Sequence, residues 1–188
     1  HLQVARAVVD TLSADALIFI PAHRSPHKMH TPAPGTHRLA MIERSIAGCE
    51  KLSASDCELQ RRDPSYTLET IYYFRKRCGP KAVLHWLIGA DQLADFDKWY
   101  KVHDLLDLCR VTVMYRAGYP EPSFERFQGV FRPEKIAELE ANVVQTPLIP
   151  ASSTEIRRRL SQGDPCRDVL PEPVINYIRV HHLYGFSL

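Results

Sequence analysis

Short apolar runs alternate with segments of helical spacing along most of this chain, and each run is followed by a polar turn. Residues 16–20, 82–88 and 111–115 are the clearest runs, and each has the length of a strand. We expect the first of them to be buried on both faces. A weaker strand is predicted over 52–59 and an irregular one over 143–149. Strands that alternate with helices favour an α/β fold with helices on both faces of a parallel sheet.

The remaining periodic segments predict helices, and one stretch predicts a loop. Residues 117–133, rich in Pro and Phe, are expected to form a variable loop. A chain of 188 residues fits a single domain, here 1–188, with a C-terminal helical part over about 152–188. The predicted helices cover 2–12, 39–46, 65–77, the segment that follows the turn at 89–91 and ends in 98–100, then 102–108, a segment from 152, and 173–181.

The charge balance, the cysteine spacing and the lengths of the apolar runs exclude several classes of protein. Lys plus Arg number 24 and Asp plus Glu 22, so the chain lacks the basic excess that non-specific nucleic-acid binding needs. The five cysteines are widely spaced without a C-x-x-C pair, which argues against a disulfide framework or a zinc site and favours the cytoplasm. No apolar run approaches the roughly 20 residues of a membrane span. We expect no membrane or nucleic-acid partner, while a homo-oligomer is left open.

One polar cluster suggests an anion site. Ser152, Ser153 and Thr154 stand before the apolar pair Ile156 and Leu160, so a helix is expected to begin there. Free N–H groups and the positive dipole end at such a start attract phosphate, and an arginine in the first turn adds a charged donor. On the residues alone, an ordinary helix cap followed by a solvated arginine face is the commoner interpretation.

The same segment resembles the ISSTxIR motif of adenylyltransferases in the HxGH nucleotidyltransferase superfamily. Further segments match, in order and spacing, those of the nicotinate-nucleotide adenylyltransferases, and together they span essentially the whole chain. The resemblance implies a Rossmann-like nucleotidyltransferase fold. The matching segments are PHK at 26–28, PSYT at 64–67, IGAD at 88–91, KWY at 98–100, RAGY at 116–119 and the tail at 170–178.

Two features depart from that family pattern. His1 fits the second histidine of HxGH, and Leu2 fits the hydrophobic residue that follows it and opens the first helix. We therefore expect the first strand, its glycine-rich turn and the first histidine to be missing from this chain, with a gap near the middle of the sheet. In the loop before PHK, Ala22 stands where the family has asparagine and Ser25 where it has proline. The ligand contacts that the family makes through this loop are therefore harder to assign to residues of this chain.

The resemblance implies transfer of the adenylyl part of ATP to nicotinate mononucleotide, with release of pyrophosphate and with Mg²⁺ carried by the ATP phosphates rather than by a protein metal site. By the same resemblance, the catalytic residues are His1, His27, Lys28, Ser153 and Arg157. The implied ATP-binding residues are His1, Gly89, Asp91, Ser152, Ser153, Thr154 and Arg157. The implied nicotinate-nucleotide contacts are Thr67, Lys98, Trp99, Tyr100 and Arg116.

Several of these residues have ordinary structural interpretations. Trp99 is the implied platform for the pyridine ring, but tryptophans more often pack in a core. Thr67 and Asp91 could equally begin helices. Two alternatives for the whole chain stay open: a phosphopantetheine adenylyltransferase, which shares the ISSTxIR-like segment but not PSYT together with KWY, and a non-catalytic nucleotide-binding regulator.

Overall fold

The structure is a computed structural model that describes residues 1–23, 33–61 and 65–186. The chain divides into two compact units. The first unit comprises His1–Val9, Ser13–Pro64 and Ile149–Leu188, and the second comprises Asp10–Leu12 and Ser65–Leu148.

The N-terminal part of the first unit is a two-stranded parallel sheet covered by helices. Helix α1 (Leu2–Thr11) begins in this unit and leads to strand β1 (Leu17–Phe19), helix α2 (Gly35–Ile46) and strand β2 (Leu52–Ala54). In the register of the two strands, Leu17 pairs with Leu52. A small core joins the helices to this sheet and is built from Ala5, Val9, Ile46 and Leu52, with Leu2, Leu17, Phe19, Ile42, Cys49 and Ala54 packed against it.

Two predictions for this sheet were wrong in detail. Strand β1 is not buried on both faces, since Ile18 is 36% exposed. Side chains alternate along a strand, so Leu17 and Phe19 reach the core while Ile18 points to the opposite face. Strand β2 ends at Ala54 rather than continuing to 59, because a turn follows in which the Leu59 N–H donates to the Asp56 carbonyl at 2.8 Å.

The C-terminal part of the first unit is helical. Helix α6 (Ser153–Ser161) and helix α7 (Glu172–Val180) are followed by a short 3₁₀ turn, Leu183–Gly185. Both helices lie close to their predicted positions. They share a core of Leu160, Cys166, Val174, Ile175, Ile178 and Phe186.

The second unit is built on a three-stranded parallel sheet in the order β3-β4-β5. The predicted parallel sheet is therefore divided into a two-stranded and a three-stranded one, and the α/β fold with parallel strands and helices is confirmed. The strands are β3 (His85–Gly89), β4 (Arg110–Arg116) and β5 (Val143–Thr146), and the helices are α3 (Thr67–Cys78), α4 (Val102–Leu108), α5 (Pro133–Ala141) and the 3₁₀ helices Ala90–Lys98 and Glu125–Phe127.

The stretch predicted as a variable loop, 117–133, is largely irregular and exposed, as predicted, but three of its phenylalanines pack into the core of this unit. Phe124, Phe127 and Phe131 are buried, and the rings of Phe127 and Phe131 stack with centroids 4.9 Å apart. Helix α5 follows and was not predicted, although Pro133 in its first turn is a common start signal. None of the helices in the described ranges has the length and apolarity needed to span a bilayer.

Candidate active site

The first turn of α6 has the geometry of an anion-binding helix start. Ser152 is the N-cap, and its hydroxyl oxygen accepts the N–H of Glu155 at 3.1 Å. The first helical hydrogen bond runs from the Ile156 N–H to the Ser152 carbonyl at 3.0 Å. The N–H groups of Ser153 and Thr154 precede that bond, so helix geometry leaves them to an acceptor outside the helix. All three hydroxyl side chains of this turn are exposed.

The three consecutive arginines of α6 have different partners. Arg158 forms a two-point ion pair with Glu155, at 2.8 and 2.5 Å, which lowers the pKa of that carboxyl. Arg159 binds Asp164 at 2.6 Å and Asp168 at 2.7 Å. Within the described part of the chain Arg157 has no ion pair, and its guanidinium donates only to the Thr154 hydroxyl, at 3.3 Å.

This pairing decides the electrostatics of the turn. Glu155 in the first turn would repel a phosphate, but Arg158 balances its charge. Arg159 is also balanced, so Arg157 is the arginine of α6 whose charge no described residue balances. The result differs from a uniformly solvated arginine face, which was the alternative interpretation of this segment.

Of the other phosphate residues implied by the resemblance, the structure describes His1 alone. His1 is exposed and immediately precedes α1, and its carbonyl accepts the N–H of Ala5 at 2.8 Å. His27 and Lys28 lie outside the described residues. The structure therefore brings Ser152, Ser153, Thr154 and Arg157 together in one helical turn.

In the second unit, two of the implied contacts end neighbouring parallel strands. Gly89 is the last residue of β3 and Arg116 the last of β4, so both lie at the carboxyl edge of the sheet. This is the edge at which α/β proteins bind their ligands. The Asp91 carboxylate folds back towards Gly89, where it occupies the space that a side chain at 89 would need. Arg116 and Asp91 are exposed.

Trp99 ends the 3₁₀ helix that follows β3 and is half-buried. Its ring meets Phe96 edge to face, with centroids 5.3 Å apart and planes at 66°. Phe96 is fully buried, so one edge of the indole is anchored on the core while part of its surface stays accessible. Trp99 is therefore neither a wholly buried core residue nor a loose surface one.

Three further implied contacts surround Trp99 in sequence or space. Lys98 is exposed and its ammonium lies 2.6 Å from the Asp95 carboxylate, a surface pair of small energetic value. Tyr100 exposes 46% of its surface, and its ring lies against Tyr66, with centroids 4.4 Å apart. Thr67 follows Tyr66 as the first residue of α3. The second unit thus brings Thr67 and the segment 98–100 together through these two tyrosines.

The comparisons with known proteins cover nearly the whole chain. Residues 1–159 match the cytidylyltransferase-like family. The chain is 33% identical to a probable nicotinate-nucleotide adenylyltransferase of Yersinia pestis, with 98% of this chain and 88% of the relative covered. A relative of the same name from Rhodopirellula baltica is 34% identical, with 98% and 86% covered.

This chain belongs to the nicotinate-nucleotide adenylyltransferase family. The fold comparison agrees, because the Plasmodium falciparum nicotinic acid mononucleotide adenylyltransferase in complex with NaAD superposes with a TM-score of 0.68 at 17% identity, covering 98% of this chain and 91% of that one. At that identity the likeness supports the fold alone.

In this member of the nicotinate-nucleotide adenylyltransferase family, sequence reasoning missed Arg38. Its guanidinium donates to the Ala22 carbonyl at 2.6 Å and to the Ala33 carbonyl at 3.2 Å, which joins the two flanks of the proline-rich segment. Burial lowers the pKa of Arg38. The phenol of Tyr184 lies close enough to Arg38 and Arg157 to be influenced by both charges. A single arginine on a predicted helix gives no sequence signal for such a role.

Proposed function

We propose that this protein joins nicotinate mononucleotide to the adenylyl group of ATP, a step of NAD biosynthesis. A phosphate oxygen of the mononucleotide forms a bond to the α-phosphorus of ATP, and the bond from that phosphorus to the bridging oxygen breaks. The products are nicotinate adenine dinucleotide and pyrophosphate. The observation that carries this proposal is that Arg157, beside the N–H groups at the start of α6, has no ion pair among the described residues, in a chain whose curated relatives are named for this reaction.

The reaction requires the protein mainly to position the two nucleotides and to neutralise charge. The attacking group is a phosphate monoester whose second pKa is about 6, so it is already anionic near neutral pH. A general base is not required. What lowers the barrier is the alignment of the two nucleotides and the neutralisation of charge that builds on the phosphates.

The first unit would hold the triphosphate. The N–H groups of Ser153 and Thr154 and the Ser153 hydroxyl would donate to the β- and γ-phosphates. The Arg157 guanidinium would balance the negative charge that builds on the departing pyrophosphate. Ser152 would act through the helix, as its cap. His1, His27 and Lys28 would add positive charge around the α-phosphate, a role that rests on the family motif.

The second unit would hold the mononucleotide. The accessible part of Trp99 would stack on the pyridine ring. The hydroxyl of Thr67 and the backbone beside Tyr100 would face the nicotinate carboxylate, with Arg116 and Lys98 favouring the anionic nucleotide. Gly89 and Asp91 would contact the adenosine part of ATP, with the Asp91 carboxylate accepting from a ribose hydroxyl.

Mg²⁺ would arrive on the ATP phosphates. Among residues 1–23, 33–61 and 65–186 no group of three His, Cys, Asp or Glu side chains is arranged to hold a metal ion. A Mg²⁺ ion bound mainly by phosphate oxygens takes few protein ligands. When bound, Mg²⁺ neutralises charge on the departing pyrophosphate. The five cysteines are free, which supports a cytoplasmic site of action.

A substrate panel tests this proposal. The purified protein is incubated with ATP, MgCl₂ and, separately, nicotinate mononucleotide, nicotinamide mononucleotide or 4′-phosphopantetheine, and pyrophosphate and the adenylylated product are quantified. We expect equal amounts of pyrophosphate and nicotinate adenine dinucleotide with the first acceptor. Turnover with 4′-phosphopantetheine alone would replace the proposal with the related adenylyltransferase, and ATP binding without any turnover would indicate a regulator.

A further inference from the structure

Two tyrosines whose rings lie against each other at a tilt, called the stack below, link the two chain segments that carry the proposed mononucleotide contacts. The rings of Tyr66 and Tyr100 have centroids 4.4 Å apart and planes at 31°. Each tyrosine is the immediate neighbour of a proposed contact residue: Tyr66 precedes Thr67, and Tyr100 follows Trp99. Neither Tyr66 nor the stack was singled out by the sequence.

The Tyr66 end of the stack is fixed by the start of α3. The Tyr66 carbonyl accepts the N–H groups of Glu69 at 3.2 Å and Thr70 at 3.4 Å. Thr70 is fully buried, so this first turn is held against the interior of the unit. The backbone of Tyr66 is therefore tied to the turn that carries Thr67, and its ring is placed by the contact with Tyr100.

The Tyr100 end is fixed from two directions. The N–H of Trp99 donates to the Phe96 carbonyl at 3.2 Å, and the Trp99 carbonyl accepts the N–H of Val102 at 3.2 Å. Lys101 has a left-handed backbone, with φ of 49°, and its ammonium lies 5.5 Å from the centroid of the Tyr100 ring. A non-glycine residue in that region is held by its surroundings, so the turn after Trp99 has a defined shape.

We propose that Tyr66 and Tyr100 are a positioning pair that sets the spacing between Thr67 and Trp99 and thereby selects the nicotinate mononucleotide. The inference rests on the proposed function, because it takes these residues as the mononucleotide contacts. In that substrate the carboxylate and the ring are rigidly joined, so both partners must lie at a matching distance. A change of about 1 Å in such an arrangement is enough to weaken productive binding.

The prediction is selective for one substrate. Loss of the stack should weaken binding of the mononucleotide and leave KM for ATP nearly unchanged, because the triphosphate residues of α6 belong to the first unit and Gly89 and Asp91 adjoin neither tyrosine in sequence. A general loss of folding would instead lower the amount of active protein and leave both KM values in place. A rise in KM for the mononucleotide without a rise in KM for ATP therefore distinguishes a positioning role from a loss of stability.

The experiment compares Tyr66→Leu, Tyr66→Phe and Tyr72→Leu. The last is a matched control, since Tyr72 lies on the same helix and is 52% exposed. Kd for nicotinate mononucleotide is measured by calorimetry, and KM for each substrate by pyrophosphate release. For Tyr66→Leu we expect both mononucleotide constants to rise three- to tenfold, in the range of an aromatic pair, with KM for ATP within about twofold. Tyr66→Phe, which keeps the ring, and Tyr72→Leu should behave like the unsubstituted protein.

The possible failures are distinguishable. If the unsubstituted protein makes the dinucleotide but Tyr66→Leu binds the mononucleotide normally, the positioning role is wrong and the proposed function stands. Equal increases in both KM values, or an equal loss in Tyr66→Phe, would also overturn the role of the stack. If the unsubstituted protein neither binds nor converts the mononucleotide, the proposed function and this inference fail together.

Discussion

The hydroxyl of Ser152 accepts the N–H of Glu155 at 3.1 Å, which closes the first turn of α6 from the inside. The neighbouring Ser153 has no such task in the described structure, and its hydroxyl is exposed. Two adjacent serines of one motif therefore have different structural roles. One shapes the helix start, and the other faces the solvent from which a phosphate would arrive.

Alanine substitutions at the two serines should affect different quantities, stability in one case and KM for ATP in the other. Ser152→Ala removes a side-chain cap and should lower the free energy of unfolding by about 1 kcal/mol. Ser153→Ala should leave stability unchanged and raise KM for ATP several-fold, because one donor to the phosphates is lost. Urea unfolding and steady-state kinetics on both variants check this. An equal loss of stability in the two variants would show that Ser153 is also structural.

Arg157 should matter to ATP more than another exposed arginine of the same unit. Arg157→Ala removes the one α6 arginine without an ion pair in the described structure, and we expect kcat/KM for ATP to fall on the order of ten- to a hundredfold. Arg167→Ala is the control, since Arg167 is exposed and reaches only Glu172, at 3.4 Å. Similar kinetics in the two variants would remove Arg157 from the phosphate site.

Trp99 should affect binding of nicotinate mononucleotide rather than of ATP. Trp99→Ala removes the stacking surface and should raise KM for nicotinate mononucleotide about tenfold or more, with KM for ATP within about twofold. Trp99→Phe, which keeps a flat ring against Phe96, should recover part of the loss. Steady-state kinetics with each substrate varied in turn provide the measurement. Equal effects on both substrates would mean that Trp99 serves packing alone.

Low pH should remove the stabilisation that the ion pairs of Arg159 give to the segment after α6. The Arg159 guanidinium lowers the pKa of both Asp164 and Asp168 below the usual aspartate value. Carboxyls with a lowered pKa in the folded state stabilise it above their unfolded pKa, about 3.9, and lose that contribution as the pH falls through the folded value. Melting temperatures between pH 6 and 2 should therefore fall more steeply below about pH 4 for the unsubstituted protein than for Arg159→Gln. Parallel curves would contradict the role of this ion-pair group.

The sequence predicts those parts of the fold that depend on local signals. The Ser152 cap stands directly before the spaced pair Ile156 and Leu160, and helix α6 begins where that pattern places it. Helix α3 likewise ends at Gly79, whose φ of 82° suits glycine. In both places a few neighbouring residues determine the outcome.

Features that depend on distant partners could not be predicted. The burial of Phe124 and Phe127 arises from packing into the core of the second unit, which the loop composition of their segment does not indicate. The Tyr66–Tyr100 stack joins segments far apart in sequence. The contacts of Arg38 on both flanks of the proline-rich segment are of the same kind.

The central claim is that the mononucleotide's own phosphate displaces pyrophosphate directly, without a protein nucleophile. Its most direct test uses ATP made chiral at the α-phosphorus by sulfur substitution, with nicotinate mononucleotide as acceptor. The configuration at phosphorus in the dinucleotide product is then determined. One in-line displacement inverts that configuration, and inversion is the result that we predict. Retention would require two displacements through an adenylylated side chain and would contradict the account.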